Sequence, residues 1–125
     1  MTPIYEQIIN QYKALIACGV LQTGEQLESV RSLSATLGIN PNTIQKAYAE
    51  LESQFICSSA PGKGRFVTAD AKDIIKESAL KNTAGIDKEV YRLALSGLNQ
   101  KEIISIVKNS YEKANGRINL LKNNN

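Results

Sequence analysis

The chain has no histidine and no tryptophan, and it has only two cysteines and three prolines among its 125 residues. Without histidine it has no imidazole base for catalysis, and it lacks the commonest metal ligand. The cysteines, Cys18 and Cys57, form no CxxC pair, so we interpret both as reduced thiols, with a disulfide between them as the lesser alternative. No nucleophile motif or suitable carboxylate pair is present either. We therefore expect no enzyme, no metal site and no cofactor.

Long apolar runs are also missing. No stretch is long enough to cross a membrane and no signal-peptide pattern is present, so we expect a cytoplasmic protein without membrane contact. Residues 1–68 also have no net charge, because they carry five basic and five acidic side chains. The surplus of +3 lies entirely in residues 69–125. Net charge therefore gives little support for nucleic-acid binding, which has to be argued from motifs.

The most informative stretch is residues 29–48, SVRSLSATLGINPNTIQKAY, where apolar spacing predicts two short helices. Gly38 is expected to end the first, because glycine adopts positive φ at little cost. Asn40 and Pro41 are typical of the cap and first position of the second. The pattern favours a helix-turn-helix, and the alternative is an ordinary helical hairpin with a solvated face. We expect the second helix to bury Ile44, Ala47, Tyr48 and Leu51 and to expose Asn42, Gln45, Lys46 and Ala49.

A short hairpin is predicted after these helices. Residues 55–59 and 65–68 form its strands, and residues 60–64, APGKG, form its turn. Glycines on both sides of a lysine allow the backbone to approach a phosphate closely. For an isolated GKG a simple solvated turn is the better interpretation, but behind a helix-turn-helix a DNA-binding wing becomes the better one.

Upstream of this stretch, Thr2 and Pro3 predict the start of a first helix, which Gly19 ends. Residues 26–27 are predicted to form a short strand. The order of helix, short strand, helix, turn, helix and hairpin is that of a winged helix. We therefore expect a mainly α fold with a small β-hairpin: a winged helix-turn-helix over residues 1–68, followed by a helical tail over residues 69–125.

Residues 3–67 resemble the DNA-binding domain of the GntR transcription regulators, and the NPNTIQKAYAELE segment, residues 40–52, most resembles the YtrA-like branch. In that family the second helix's arginine, the third helix's first turn and the glycine-rich wing touch DNA. The resemblance implies a sequence-specific regulator, more often a repressor, that binds double-stranded DNA as a homodimer at a twofold operator. A winged helix used for protein contacts is the alternative. The expected DNA-binding residues are Ser29, Arg31, Asn40, Asn42, Thr43, Gln45, Lys46, Gly62, Lys63, Gly64 and Arg65.

The chain departs from the family pattern at several positions. Phe55 stands where a glycine is common after the third helix, and Ala60 and Pro61 replace a basic pair before the wing glycine. Because residues 1–68 have no net charge, DNA binding requires their charges to segregate. We expect basic side chains on the DNA side and acidic ones away from it: Arg31, Lys46, Lys63 and Arg65 against Glu6, Glu25, Glu50 and Glu52.

The tail is predicted to be helical. Gly85 is expected to kink or split the helix over residues 70–98, and Asn99 and Glu102 resemble a capping signal for a last helix that ends at residues 115–116. Residues 117–125 are expected to fray, with docking of Ile118, Leu120 and Leu121 as the alternative. These helices are too few to enclose a core, so their apolar faces need a partner, either the winged helix or a second copy. Because operators read by helix-turn-helix proteins are usually twofold, we expect the second copy. An effector pocket within one chain is not expected, one between two tails stays open, and the effector is unknown. The expected dimer interface is Ile86, Val90, Leu93, Ile104, Val107 and Tyr111.

Overall fold

The computed structural model describes residues 2–123 and confirms a mainly α chain with an N-terminal winged helix and a two-stranded antiparallel hairpin. The chain divides between Lys76 and Glu77 into two compact units. The helices and strands are α1 (Ile4–Ala17), α2 (Val30–Leu37), α3 (Pro41–Ser53), β1 (Cys57–Ala60), β2 (Gly64–Val67), α4 (Ala71–Lys81), α5 (Ala84–Leu95) and α6 (Gln100–Asn123).

The turn between α2 and α3 forms as its sequence predicts. Gly38 has φ +66° and donates its N–H to the carbonyl of Ser34, which ends α2. Asn40 caps α3, because its Oδ1 accepts the N–H of Asn42 at 2.8 Å. Pro41 then occupies the first helical position, where no donor is needed. These local bonds fix the direction in which α3 leaves the turn.

Helix α3 lies at the centre of the first unit. Its Ile44, Ala47, Tyr48 and Leu51 are buried, as their spacing predicts. Around them the core is completed by residues from α1, the hairpin and neighbouring segments: Ile8, Ile9, Ile16, Leu27, Ile56, Cys57, Val67 and Ala71. This packing makes α3 the element on which the rest of the unit is positioned.

A pair of tyrosines fixes α3 against α1 and against the segment before α2. The Tyr48 hydroxyl donates to the carbonyl of Glu28 at 2.6 Å and lies 2.8 Å from the Tyr12 hydroxyl. Since a phenol has one proton to donate, Tyr12 must be the donor to Tyr48. The two rings also meet edge to face at 5.6 Å. The Tyr48 hydroxyl thus bonds to both α1 and the segment before α2.

The predicted hairpin forms, but its strand bounds differ. The strands pair from Cys57 with Val67 to Ala60 with Gly64, so the first strand begins two residues later than expected. The reason is Phe55, whose φ of +62° interrupts the extended conformation after α3. The predicted strand at residues 26–27 is reduced to one isolated bridge between Gln26 and Phe66.

The start of α1 also differs from the prediction. Pro3 takes the cap position itself, and no side chain caps the helix there. Thr2 contributes its carbonyl, which accepts a hydrogen bond from the Gln7 side chain, rather than a capping hydroxyl. The first helical residue is therefore Ile4, whereas the sequence predicts Pro3 at that position.

Replacing Phe55 with glycine should stabilise the protein. The left-handed conformation costs a non-glycine residue about 1–2 kcal/mol, and the side chain is 73% exposed, so little burial is lost. Allowing for the greater freedom of glycine in the unfolded chain, we expect a gain of about 0.5–1 kcal/mol in the free energy of unfolding. Urea denaturation measures this. Phe55→Ala is the matched control, and a gain as large in that variant would show that backbone strain is not the cause.

The helix predicted over residues 70–98 is split in two, but not at Gly85, and the predicted end of the last helix is wrong. The helix breaks at Asn82 and Thr83, whose side chains bond to the preceding carbonyls of Ser78 and Leu80, whereas Gly85 lies inside α5. Such side-chain bonds compete with helix continuation. The last helix does not end at residues 115–116 but continues to Asn123, and Leu121 near its end is buried. Residues 124–125 lie outside the described part.

The start of α6 is capped as its sequence indicates. The N–H of Glu102 bonds to Oδ1 of Asn99, and the N–H of Asn99 bonds to Oε1 of Glu102. This reciprocal pair satisfies two backbone donors that a helix start leaves free.

The first compact unit extends beyond residue 68, the expected boundary. Ala71 is buried in its core, and Ile74 and Ile75 pack against that core, so the unit includes the first part of α4 up to Lys76. The assignment of a DNA-binding part and a dimerisation part to the two units stays a prediction.

Candidate nucleic-acid interface

The start of α2 and the wing enclose one small cleft of about 210 Å³. Ser29 lies in its wall together with Lys63, Gly64 and Arg65. The Ser29 hydroxyl oxygen caps α2 by accepting the N–H of Ser32 at 3.0 Å. Its own O–H is still able to donate to a phosphate oxygen. The structure thus brings the N-terminal end of α2 beside the wing, so that the two elements form one surface.

The tip of the wing is shaped by glycine and held by Gln26. Gly62 and Gly64 have φ of +75° and +118°, and the Lys63 N–H closes the turn on the carbonyl of Ala60. Gln26 Nε2 donates to the Lys63 carbonyl at 2.8 Å and would lie 2.5 Å from a Cβ at position 64. Sequence reasoning missed Gln26, because no local pattern links it to a turn 37 residues away.

Lys63 and Arg31 carry the exposed positive charge near this cleft and on α2. Both side chains are exposed, and within residues 2–123 neither has a carboxylate within 4.0 Å. The pairing of Arg31 with Glu28, which its spacing of three residues would permit, is therefore not formed. Both cations are available to phosphate.

The Arg65 side chain packs against α3. Its guanidinium does not project from the wing tip but folds onto α3, where Nε is 3.4 Å from Oε1 of Glu52. Nη1 donates to Oε1 of Gln45 at 3.4 Å, and the group stacks over the Tyr48 ring at 5.5 Å. The wing and α3 are joined through this one side chain.

The first turn of α3 presents side chains rather than free backbone donors. The N–H of Asn42 is taken by the Asn40 side chain, and the N–H of Thr43 bonds to the Asn40 carbonyl. Asn40 and Asn42 are exposed and Thr43 is half-buried. This turn therefore offers DNA chiefly the exposed side-chain amide of Asn42.

Lys46 lies on the side of α3 that faces α1. Its Nζ is 3.9 Å from the centre of the Tyr5 ring, and the side chain lines a cleft of about 390 Å³ together with Glu6, Lys13 and Glu50. The exposed cation–π contact contributes about 0.5–1 kcal/mol, which a phosphate contact would have to replace.

The expected charge segregation is incomplete. Glu52 was expected away from the basic groups but pairs with Arg65, and Glu6 and Glu50 share the cleft of Lys46. Of the four cations expected at DNA, Arg31 lines neither of these two clefts, whereas Lys63 lines the smaller one together with Glu28.

Buried ionisable groups near α3 stay neutral at physiological pH. Burial raises the pKa of the Cys57 thiol to about 11, and the nearby Glu52 adds to that effect. Burial also raises the pKa of Tyr12 and that of Tyr48 above the usual phenol value. Cys18 and Cys57 are both free thiols. The geometry offers polar side chains and fixed charges to a ligand, and no activated nucleophile among these groups.

Residues 4–67 match the family described as bacterial regulatory proteins, gntR family. The chain belongs to this family. It is 43% identical over 79 residues to the HTH-type transcriptional repressor YtrA of Bacillus subtilis, a match that spans 63% of this chain and 61% of YtrA. This likeness supports the YtrA-like branch that residues 40–52 indicate.

Solved structures agree with this assignment. A transcriptional regulator from Oenococcus oeni superposes with a TM-score of 0.73 at 33% identity, over 89% of this chain and 92% of that one. AraR(DBD) in complex with operator ORX1 superposes with a TM-score of 0.52 at 29% identity, over 54% of this chain and 82% of that one.

This gntR-family protein is thus a transcription regulator with a DNA-binding helix-turn-helix domain, and its relatives are regulators rather than enzymes. No helix within residues 2–123 is long and apolar enough to cross a membrane.

Proposed function

We propose that the protein is a cytoplasmic homodimeric repressor that binds a twofold operator through α2, α3 and the wing. This proposal rests on the contacts that join α2, α3 and the wing. Ser29 and Lys63 line one cleft, and Arg65 links the wing to Gln45 on α3. The AraR(DBD) structure contains operator DNA and YtrA is named a repressor, which supports the same function for this relative.

The proposed contacts divide into positioning and reading groups. Arg31, Lys63 and the hydroxyl of Ser29 bind phosphates, and Gly62 and Gly64 allow the wing backbone to come close. Exposed amides on α3, those of Asn42 and Gln45, reach base edges in the major groove. Asn40, Thr43 and Lys46 flank them, with Lys46 leaving Tyr5 to meet a phosphate.

The tail supplies the proposed second function, which is dimerisation. Several large apolar side chains of α5 and α6 are exposed in the single chain, including Ile86, Ile104, Val107 and Tyr111. Val90 and Leu93 lie half-buried near them in sequence. Ile104, Val107 and Tyr111 follow helical spacing along one face of α6, and an exposed apolar face of this kind is typical of a contact surface. A second copy would cover them and would match the twofold symmetry of an operator.

The proposal is tested first at Asn42. We expect Asn42→Ala to lower operator affinity by about 1–3 kcal/mol and to relax the preference for one base pair, because an amide can bond two groups of one base. The operator is obtained by selection from randomised duplexes, and affinity is measured by fluorescence anisotropy. Lys46→Ala is the matched control, and it should weaken all duplexes evenly. If Asn42→Ala binds like the unmodified chain with its fold intact, α3 does not read the bases.

A second test concerns Arg31. Removing a phosphate contact should reduce the slope of log affinity against log salt by about 0.9 per copy. We therefore expect Arg31→Ala to weaken binding and to lower the slope of the dimer by about 2, in titrations over several salt concentrations. Lys108→Ala, in the tail, is the control. An unchanged slope would place Arg31 away from the DNA.

A further inference from the structure

Arg65 is a half-buried charged side chain of the first unit. Only 22% of its side chain is exposed, although arginine on a short hairpin is ordinarily well solvated. Its guanidinium lies within 3.4 Å of both Glu52 and Gln45 and stacks over Tyr48. Because the group is already engaged by three side chains of α3, a role as a free phosphate contact does not account for its position.

The groups that hold Arg65 are themselves fixed from outside the DNA-facing surface. Glu52 Oε1 accepts a hydrogen bond from the Ser59 hydroxyl on β1. Tyr48 is buried and is held by Glu28 and Tyr12. Gln45 is the exception, since it is exposed and no other hydrogen bond restrains its amide among the described residues. Arg65 is therefore held in place by the core, and its hydrogen bond restrains one exposed side chain, that of Gln45.

The chemistry of the guanidinium determines the orientation of that amide. Arginine has five N–H donors and no acceptor, so only the oxygen of Gln45 can face it favourably. The oxygen is then turned to the wing, and both N–H groups of Nε2 point away from Arg65. A free glutamine, by contrast, can turn its amide to pair with the donor and the acceptor of adenine.

We propose that Arg65 is a positioning residue that makes Gln45 present donors to the major groove. Guanine offers two acceptors there, N7 and O6, whereas adenine places a donor beside its N7. Arg65 thus makes the position read by Gln45 prefer guanine over adenine. The inference rests on the proposed DNA-binding function. It adds that the contact between Arg65 and Gln45, which lies within the protein, determines specificity.

The test uses the full chain and duplexes selected from a randomised library. The base pair read by Gln45 is the one whose preference is lost in Gln45→Ala. Duplexes with guanine or adenine at that position are then titrated with the unmodified chain, Arg65→Met, Arg65→Lys and the Arg65→Met, Gln45→Ala double variant. Thermal unfolding checks each fold. If Arg65→Met unfolds, Arg65→Gln replaces it, because a glutamine at position 65 offers an acceptor as well as donors and releases the amide.

We expect the unmodified chain to prefer guanine by at least about fivefold. Arg65→Met should reduce that ratio to about twofold or less, with the salt slope and the other positions unchanged. Arg65→Lys keeps a donor-only group and should retain the preference. The double variant should match Gln45→Ala alone, since the two residues act as one unit.

Three results would overturn the inference alone. A retained guanine preference in Arg65→Met excludes the positioning role while leaving the proposed function intact. A salt slope lower by about one per copy with unchanged preference would make Arg65 a phosphate contact. An even loss of affinity for all duplexes would make it structural only. If the unmodified chain selects no preferred duplex, the proposed function fails together with the inference.

Discussion

Residues 1–76 alone should keep the winged-helix fold but bind a twofold operator about 10²- to 10⁴-fold more weakly than the full chain. Without the tail, each half-site is bound independently, whereas a dimer makes the second contact intramolecular. The fragment ends at Lys76 because the core includes Ala71 and is covered by Ile74 and Ile75. Anisotropy titrations of both chains on one selected duplex measure the difference.

A shorter fragment, residues 1–68, serves as the control for folding. It lacks the core contacts of α4 and should melt at a lower temperature than residues 1–76 by circular dichroism. Equal operator affinity of the 1–76 fragment and the full chain would contradict a requirement for the tail.

Charged residues at two exposed positions of α6 should convert the dimer to a monomer at micromolar concentration. Ile104 and Val107 are 45% and 56% exposed in the single chain and lie three residues apart on one face. Ile104→Lys with Val107→Lys would bury two uncompensated charges per copy in a dimer, which costs several kcal/mol. Because both side chains are largely exposed, the single-chain fold should survive. Light scattering measures the mass.

The matched control for this pair is Ser105→Lys with Asn109→Lys, which adds the same charge at exposed polar positions of the same helix. The control should remain dimeric. A dimer that persists in the Ile104→Lys, Val107→Lys variant, with helicity retained, would exclude this face of α6 from the interface.

The sequence predicts the helix-turn-helix well because its signals are local. Gly38, Asn40 and Pro41 act within one turn of the residues they affect, and the apolar spacing of α3 is continuous. The break before α5 was misplaced because the side-chain bonds of Asn82 and Thr83 are weaker sequence signals than a glycine such as Gly85.

The candidate site is less predictable than the fold for a physical reason. Arg65 contacts Glu52 and Gln45, which are 13 and 20 residues away, so its partners follow only from the packing of the wing on α3. The sequence shows only that Arg65 is charged and follows a glycine-rich turn. Those two features are as compatible with a phosphate contact as with the observed contact to α3. Lys46 is similar, since its contact with Tyr5 depends on how α1 packs.

Selection of duplexes by the full chain, followed by a change of half-site spacing, tests whether a dimer of this protein reads a twofold operator. We expect enrichment of two inverted half-sites at one fixed separation. Inserting five base pairs, about half a helical turn, should then weaken binding by at least about tenfold, because the second half-site rotates to the other side of the duplex. Enrichment of a single half-site, or equal binding after the insertion, would contradict a dimer that reads a twofold operator.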